Sequence, residues 1–328
     1  MHFALLFMIA SSYYQGKKIV IAGGGGFLGS HICAILQGAD CRLFVPRQQD
    51  GIDFRRSEDC ASYFQKTKPD IVINCAANQG GIGYHKGKEA ELFMDNMRMG
   101  LFLMEAAQKS GVKKFVNIVA GCSYPGYLEK EELDEEDYWE GRVHDSIASY
   151  GFARKASVFF GSALKKQYDF SSIHLIMANM YGPGEPFHPQ KSKALAALIK
   201  KFYDAKKNNL PSVEIWGTGK PIRDWLYVED GAMGILKATE SYNDIEPLNI
   251  ASGKGISIKD LAGTIQGLIG YTGKIVYNTA MPDGALKKIF GVAKMEKTLR
   301  WKAETTLEEG IATTIAWLDD NYDHAISR

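Results

Sequence analysis

The chain has 328 residues and sets 39 Lys and Arg against 38 Asp and Glu, a formal charge of +1. That balance gives no footing for nucleic acid or a membrane surface as partner, and the length suits one large domain or two of ordinary size. The five cysteines, at 33, 41, 60, 75 and 122, have no metal-ligand spacing, so neither a metal site nor a disulfide framework is expected, and a reducing, cytoplasmic setting is.

Phe3 to Ala10 is apolar, but the run is too short to span a bilayer. It also lacks the preceding Lys or Arg of a secretory leader. Residues 1–16 are expected to form a disordered or loosely docked tail. Ile19-Val-Ile-Ala22 then reads as a buried strand. It runs into Gly23-x-x-Gly26-x-x-Gly29, and a helical pattern covers 27–37. Strand, glycines and helix in that order form the context of a dinucleotide site. Gly23 permits the tight turn, Gly26 lets the backbone approach a pyrophosphate, and Gly29 lets the helix pack closely. Phe27 and Leu28 fall in the first turn of that helix, where free N–H groups face phosphates.

The next strand, 41–45, ends toward Arg47 where a carboxylate for ribose hydroxyls would favour NAD. Arg47 suits a 2′-phosphate, so NADP(H) is favoured over NAD(H). Asp53 is a candidate acceptor for the adenine amino group, or a surface acid flanking a helix. Further strands are read at 70–75, 114–119 and 172–177, and helices at 57–66, 88–109, 148–167 and 192–205. This alternation implies a parallel sheet with helices on both faces and a ligand at the carboxyl ends of its strands. The fold class is α/β: a Rossmann doubly wound parallel sheet over 17–177, with a smaller, mainly C-terminal α/β substrate lobe over 178–328. Strands at 213–216 and 247–250 and helices at 258–269 and 307–318 belong to the second half. The chain is expected to return to the main sheet near 222–255.

Three later segments carry the chemistry. One is Ile73-Asn-Cys-Ala-Ala77 with Gly80-Gly-Ile82. The next is Gly121-Cys-Ser-Tyr-Pro125 with Ser149-Tyr-Gly-Phe-Ala-Arg-Lys155. The third joins Ala178-Asn-Met-Tyr-Gly-Pro183, Phe187-His-Pro189 and Trp216-Gly-Thr-Gly-Lys-Pro-Ile-Arg223-Asp-Trp-Leu-Tyr-Val-Glu-Asp230. With the glycine motif, over roughly 17–325, the chain resembles the extended short-chain dehydrogenase/reductases of the NAD-dependent epimerase/dehydratase family. Within them it most resembles the GDP-L-fucose synthase branch, NADPH-dependent epimerase–reductases of GDP-4-keto-6-deoxymannose.

The resemblance implies that Tyr150 gives a proton to the sugar oxygen as hydride moves. It also implies a lysine four residues on, beneath the nicotinamide ribose. Arg154 stands there, and Lys155 is one step further, about 100° around the helix. A phenol of pKa ~10 needs a nearby cation to work at neutral pH; Arg supplies the charge but no removable proton. The family hydroxyl position is Ala120 here, with Ser123 the nearest substitute. Cys122 stands at the family's epimerising cysteine, where a thiolate near a cation would serve as base. Ser192-Lys193 replaces a Ser-His pair, so epimerisation rests on Cys122 and Lys193.

The resemblance also places Ala76 and Ala77 against the cofactor. Lys193, Lys200, Lys201 and Arg223 form a cationic clamp for a diphosphate, Trp216 either stacks near the base or is simply core, and Asn179 contacts substrate. His188 and Asn96 read as structural. The function implied is an NADP(H)-dependent 4-keto reductase/epimerase of a nucleotide-diphosphate sugar, GDP-linked by preference. The alternatives are a redox-neutral 4-epimerase with retained NAD, or a non-catalytic cofactor-binding paralogue. A homodimer through 88–109 and 148–167 is also implied.

Overall fold

Ile19, Val20, Ile21 and Ala22 lose all contact with solvent. They form most of β1 (Lys18–Ala22), the strand on which the main sheet is built. The computed structural model describes residues 11–189, 191–281 and 283–327; the apolar run at 3–10 lies outside them. Beside β1 lie β2 (Arg42–Phe44), β3 (Ile71–Asn74), β4 (Lys114–Ala120) and β5 (Ser172–Met177). Together with Leu248–Ile250 they make a parallel sheet in the order β2-β1-β3-β4-β5 and then Leu248–Ile250.

Successive side chains of a strand point to opposite faces. Ile19 and Ile21 therefore join one core, with Ile32 and Leu36 of the helix Phe27–Leu36 and Ile235 of Val228–Ser241. Val20 and Ala22 join another, with Phe64 of Ser57–Thr67 and Leu103 and Met104 of Glu89–Lys109. A sheet covered on both faces explains why its strands read as continuous apolar runs. The strand order reverses between β1 and β3, and a crevice at their carboxyl ends follows from that reversal.

The loose tail expected over 1–16 is corrected over its described part. Ser11–Tyr14 is a helical turn. The buried Tyr14 donates its hydroxyl to the Leu236 carbonyl at 2.7 Å, which anchors the turn on the main core.

The smaller lobe centres on the strand Ile222–Tyr227. Asn179–Tyr181 and Lys287–Lys288 run parallel to it, and Gly255–Ser257 runs antiparallel. Ser212–Trp216 pairs in parallel with Lys274–Asn278. The helices Ala194–Lys207, Ile258–Ile269 and Leu307–Asp320 close over a third core, which includes Phe187, Phe202, Ile265 and Ile311. The chain returns to the main sheet within the stretch expected, through Leu248–Ile250. Trp225 and Tyr227 face the lobe's core and Leu226 the main core, so Ile222–Tyr227 straddles the two, and Leu248–Ile250 rejoins the sheet. The helix expected from Ser192 opens at Ala194, because Lys193 is its extended N-cap residue.

Candidate active site

The glycine turn is a cradle built from backbone. Gly23 has a φ of +75°, and a Cβ there would lie 2.8 Å from the Ala76 nitrogen. A Cβ on Gly29 would lie 2.4 Å from the Gly23 carbonyl oxygen. Only hydrogens therefore let β1, the segment after β3 and the helix meet. Gly26 is the N-cap residue of Phe27–Leu36 and offers no side chain, so the helix opens with unspent N–H groups. Leu28 packs inward and Phe27 is half-buried. Arg47 is exposed, and its Nε lies 3.5 Å from where a Gly25 Cβ would sit. A small-residue cradle, free amides and a flanking guanidinium fit a phosphorylated dinucleotide. Asp53 is first of all an ion-pairing acid. Its carboxylate accepts from Arg55 Nε at 2.9 Å and Nη2 at 2.7 Å, and that hydrogen-bonded pairing holds it below the usual carboxylate range.

Tyr150 and Arg154 lie one turn apart on the helix Ala148–Tyr168, both buried. The Arg154 Cζ sits 5.2 Å from the Tyr150 ring centroid. Its Nη2 donates to the Ala76 carbonyl at 2.7 Å and to Asn96 Oδ1 at 3.1 Å. Asn96 is fixed in turn, because its Nδ2 donates to Leu92 O at 2.7 Å and Asn78 O at 2.8 Å. Arg154 Nε is buried and has no partner among the described residues. A buried donor left over beside the cradle fits a ribose hydroxyl. Lys155 points elsewhere, donating to Gly141 O at 3.1 Å above the Tyr138 ring. The cation at the phenol is thus Arg154. Burial pushes the Tyr150 hydroxyl up, and the Arg154 guanidinium opposes this without overcoming it.

One expectation for the turn after β4 is corrected. Ser123 is fully buried; its Oγ donates to Ala120 O at 2.6 Å and accepts from Tyr138 at 3.0 Å. Its hydroxyl is spent inside the turn rather than offered to a substrate oxygen. Burial pushes the neighbouring Cys122 thiol up, and the charges of Lys288, Arg154 and Lys193 act to lower it. Lys193 reaches this site through a loop contact. Gly81 N donates to Lys191 O at 3.1 Å, and a Cβ on Gly81 would lie 2.4 Å from Ser192 O. The loop after β3 therefore seats directly on the residues before Lys193.

On the lobe side, Lys201 donates to Glu214 O at 2.9 Å and lies 5.4 Å from the Trp216 ring centroid. Trp216 is 59% exposed, so it has a free face for a base to stack on. Arg223 is held by the carbonyls of Ile222 and Ala285, and it stands in register with Lys288. Lys200 is a correction: it pairs with Asp204 and reaches Tyr322, away from Lys201. Asn179 spends its Nδ2 on the Asp224 carbonyl at 3.1 Å, tying two strands together. The His188 carbonyl accepts from Ser192 N and Oγ, at 2.9 and 2.7 Å, as a loop residue would.

Sequence reasoning missed three groups. Lys288, which donates to Gly121 O at 3.4 Å, reads as half of a solvated Lys-Lys pair, and only its register with Arg223 reveals it. Glu185 sits in a Pro-Gly-Glu-Pro loop, yet it is 2% exposed and neither carboxyl oxygen has a partner among the described residues. Burial pushes its carboxyl up to about 7. His85 lies edge-on to Tyr150, with ring centroids 6.0 Å apart. No local pattern marks either of the last two.

Comparison with known proteins agrees with this geometry. Residues 19–251 match the model of the NAD dependent epimerase/dehydratase family. The GDP-L-fucose synthase of Sinorhizobium fredii is 34% identical over 91% of this chain and 94% of its own. A GDP-6-OMe-4-keto-L-xylo-heptose reductase from C. jejuni superposes with a TM-score of 0.87 at 26% identity, over 93% of this chain and 98% of that one. A GDP-L-fucose synthetase from Naegleria fowleri, bound to NADP, gives 0.86 at 26% identity over 95% and 97%. On the matched residues and on the glycine cradle facing the Tyr150–Arg154 pair, the chain belongs to the NAD dependent epimerase/dehydratase family.

Proposed function

We propose that this protein is an NADP(H)-dependent 4-keto reductase/epimerase of GDP-linked sugars. The observation that carries the reading is the buried Tyr150–Arg154 pair, hydrogen-bonded to Ala76 at the mouth of the glycine cradle. The backbone at Gly23, Gly26, Phe27, Leu28 and Gly29 would hold the cofactor's diphosphate, and Arg47 its 2′-phosphate. Ala76, Ala77 and Arg154 would line the nicotinamide end. When bound, NADPH supplies the hydride. Tyr150 gives its proton to the sugar oxygen, and Arg154 steadies the phenolate left behind. Arg223, Lys193 and Lys201 meet the nucleotide diphosphate, with Trp216 beside the base. Cys122 and Lys193 would exchange protons on carbons next to the carbonyl.

The other protein partner is a second copy. Phe152 and Phe159, seven residues apart on Ala148–Tyr168, are 57% and 68% exposed. Phe93 of the neighbouring helix Glu89–Lys109 stacks on Phe152 at 6.3 Å. This apolar face supports a homodimer built on the two helices. None of the helices among the described residues is long and apolar enough to cross a membrane. The five free cysteines support a reducing cytoplasm.

The test is NADPH consumption with GDP-4-keto-6-deoxymannose beside matched UDP-, dTDP- and CDP-ketosugars. Turnover in the GDP arm is the expected result. Silence in every arm, with NADPH still bound, would overturn the proposal.

A further inference from the structure

A phenol that gives its proton to a sugar oxygen must regain one before the next turnover. A lysine in contact with it can pass one on by losing its own. Arg154 cannot, because a guanidinium stays protonated in proteins. The neighbouring Cys122 thiol is itself held above its ordinary value by burial. The proton therefore needs another route.

His85 offers one. It closes the short helix Ile82–His85 and sits edge-on to Tyr150, with ring planes 78° apart. It also lines a pocket of about 250 Å³, whose other walls are Lys86, Glu89 and the segment from Asp145 to Ser149. Lys86, Glu89, Asp145 and Ser146 are exposed, so the pocket communicates with solvent. The imidazole thus meets the phenol ring and a pocket open to solvent.

We propose that His85 is the proton relay that recharges Tyr150, drawing on the water of this pocket. The idea rests on the reductase reading above. After the Tyr150 O–H bond breaks, its proton is on the sugar and the electron pair stays on the phenolate. The imidazole takes one proton from solvent. Its N–H bond then breaks, the pair returns to nitrogen, and the O–H of Tyr150 re-forms. One solvent proton is consumed per carbonyl reduced by NADPH, and no further electrons move. The charged and titratable groups facing His85 are Tyr150, Tyr84, Glu89, Lys86 and Asp145. Burial lowers the imidazole below its ordinary value, while the Gly80 backbone bond and Glu89 partly restore it.

The test compares wild type with His85→Phe, which keeps an aromatic ring against Tyr150, and with His85→Ala. The expected His85→Phe trace is a burst of one NADPH per site at the wild-type rate. A steady state slower by about tenfold or more follows it. Added imidazole should restore steady turnover in His85→Ala in proportion to its concentration. A histidine that merely supports the ring would slow the first turnover as well and ignore imidazole; that result overturns the relay. Wild-type steady-state rates in both variants overturn it too. Absence of NADPH-dependent turnover in the wild-type protein would overturn the reductase reading, and the relay with it.

Discussion

Arg154 is 2% exposed, and the oxygens it meets, the Ala76 carbonyl and the Asn96 amide, carry no formal charge. A buried cation so held exerts its field on the nearest titratable group, the Tyr150 hydroxyl, and lowers the pKa that burial has raised. The proposed reduction needs that phenol protonated, so activity is expected to fall above its pKa. Replacing Arg154 with Met removes the lowering influence. The alkaline limb of kcat/KM is then expected to move to higher pH, with kcat lower by about 10- to 100-fold from the lost charged hydrogen bonds. A pH–rate profile of Arg154→Met checks this, and an unmoved limb would contradict it. The i to i+4 spacing of Tyr150 and Arg154 was readable from the sequence because both lie on one helix turn. The direction of Ser123 was not, since the hydroxyl that captures it belongs to Tyr138, in a separate segment. Lys200 and Lys201 looked alike in sequence, and their opposite directions follow from where the helix Ala194–Lys207 docks.

Among elements, the helix Phe27–Leu36 is defined by its contact with β1. Ala at Gly29 would press into the Gly23 carbonyl, an overpacking that costs about 1–3 kcal/mol and opens the diphosphate cradle. Gly263, exposed inside Ile258–Ile269, has nothing within 4 Å of an added Cβ. Ala there is expected to stabilise by about 0.5–1 kcal/mol through helix propensity alone. Denaturant midpoints for the two variants should move in opposite directions, and NADPH titration should weaken only for Gly29→Ala. The strand–glycine–helix unit was legible because its constraints are local. The docking of Ser11–Tyr14 was not, because Tyr14 bonds to Leu236, 222 residues away. The placement of Lys288 beside Arg223 likewise depends on strand register across the lobe.

For the whole molecule, two buried groups set opposing pH limbs of stability. His174 is kept neutral by burial, its pKa lowered to about 3, with Asn117 Nδ2 3.1 Å from its Nδ1. Its unfolded value is ~6.5, so its contribution is present above that pH and is lost as pH falls toward 3. Glu185 is raised to about 7. Its unfolded value is ~4.3, so the folded state binds the extra proton. That contribution is present below about pH 4 and is lost as pH rises through 7. Asp224, raised to about 6, adds to the same limb. Glu185→Gln is expected to flatten the decline between pH 5 and 8 in urea midpoints; a decline unchanged from wild type would contradict the assignment. Light scattering addresses the assembly. Phe159→Asp, placed on the exposed helix face, should convert a dimer to a monomer, and a mass unaffected by the change would locate the interface elsewhere.

In the proposed reaction Tyr150 delivers the proton while NADPH reduces a GDP-linked 4-ketosugar. It is tested most directly by NADPH oxidation in wild type and Tyr150→Phe side by side, with cofactor affinity measured on both. Steady turnover is expected in wild type and a loss of about 10²-fold or more in Tyr150→Phe, with NADPH bound equally well. Equal turnover in the two proteins would contradict it.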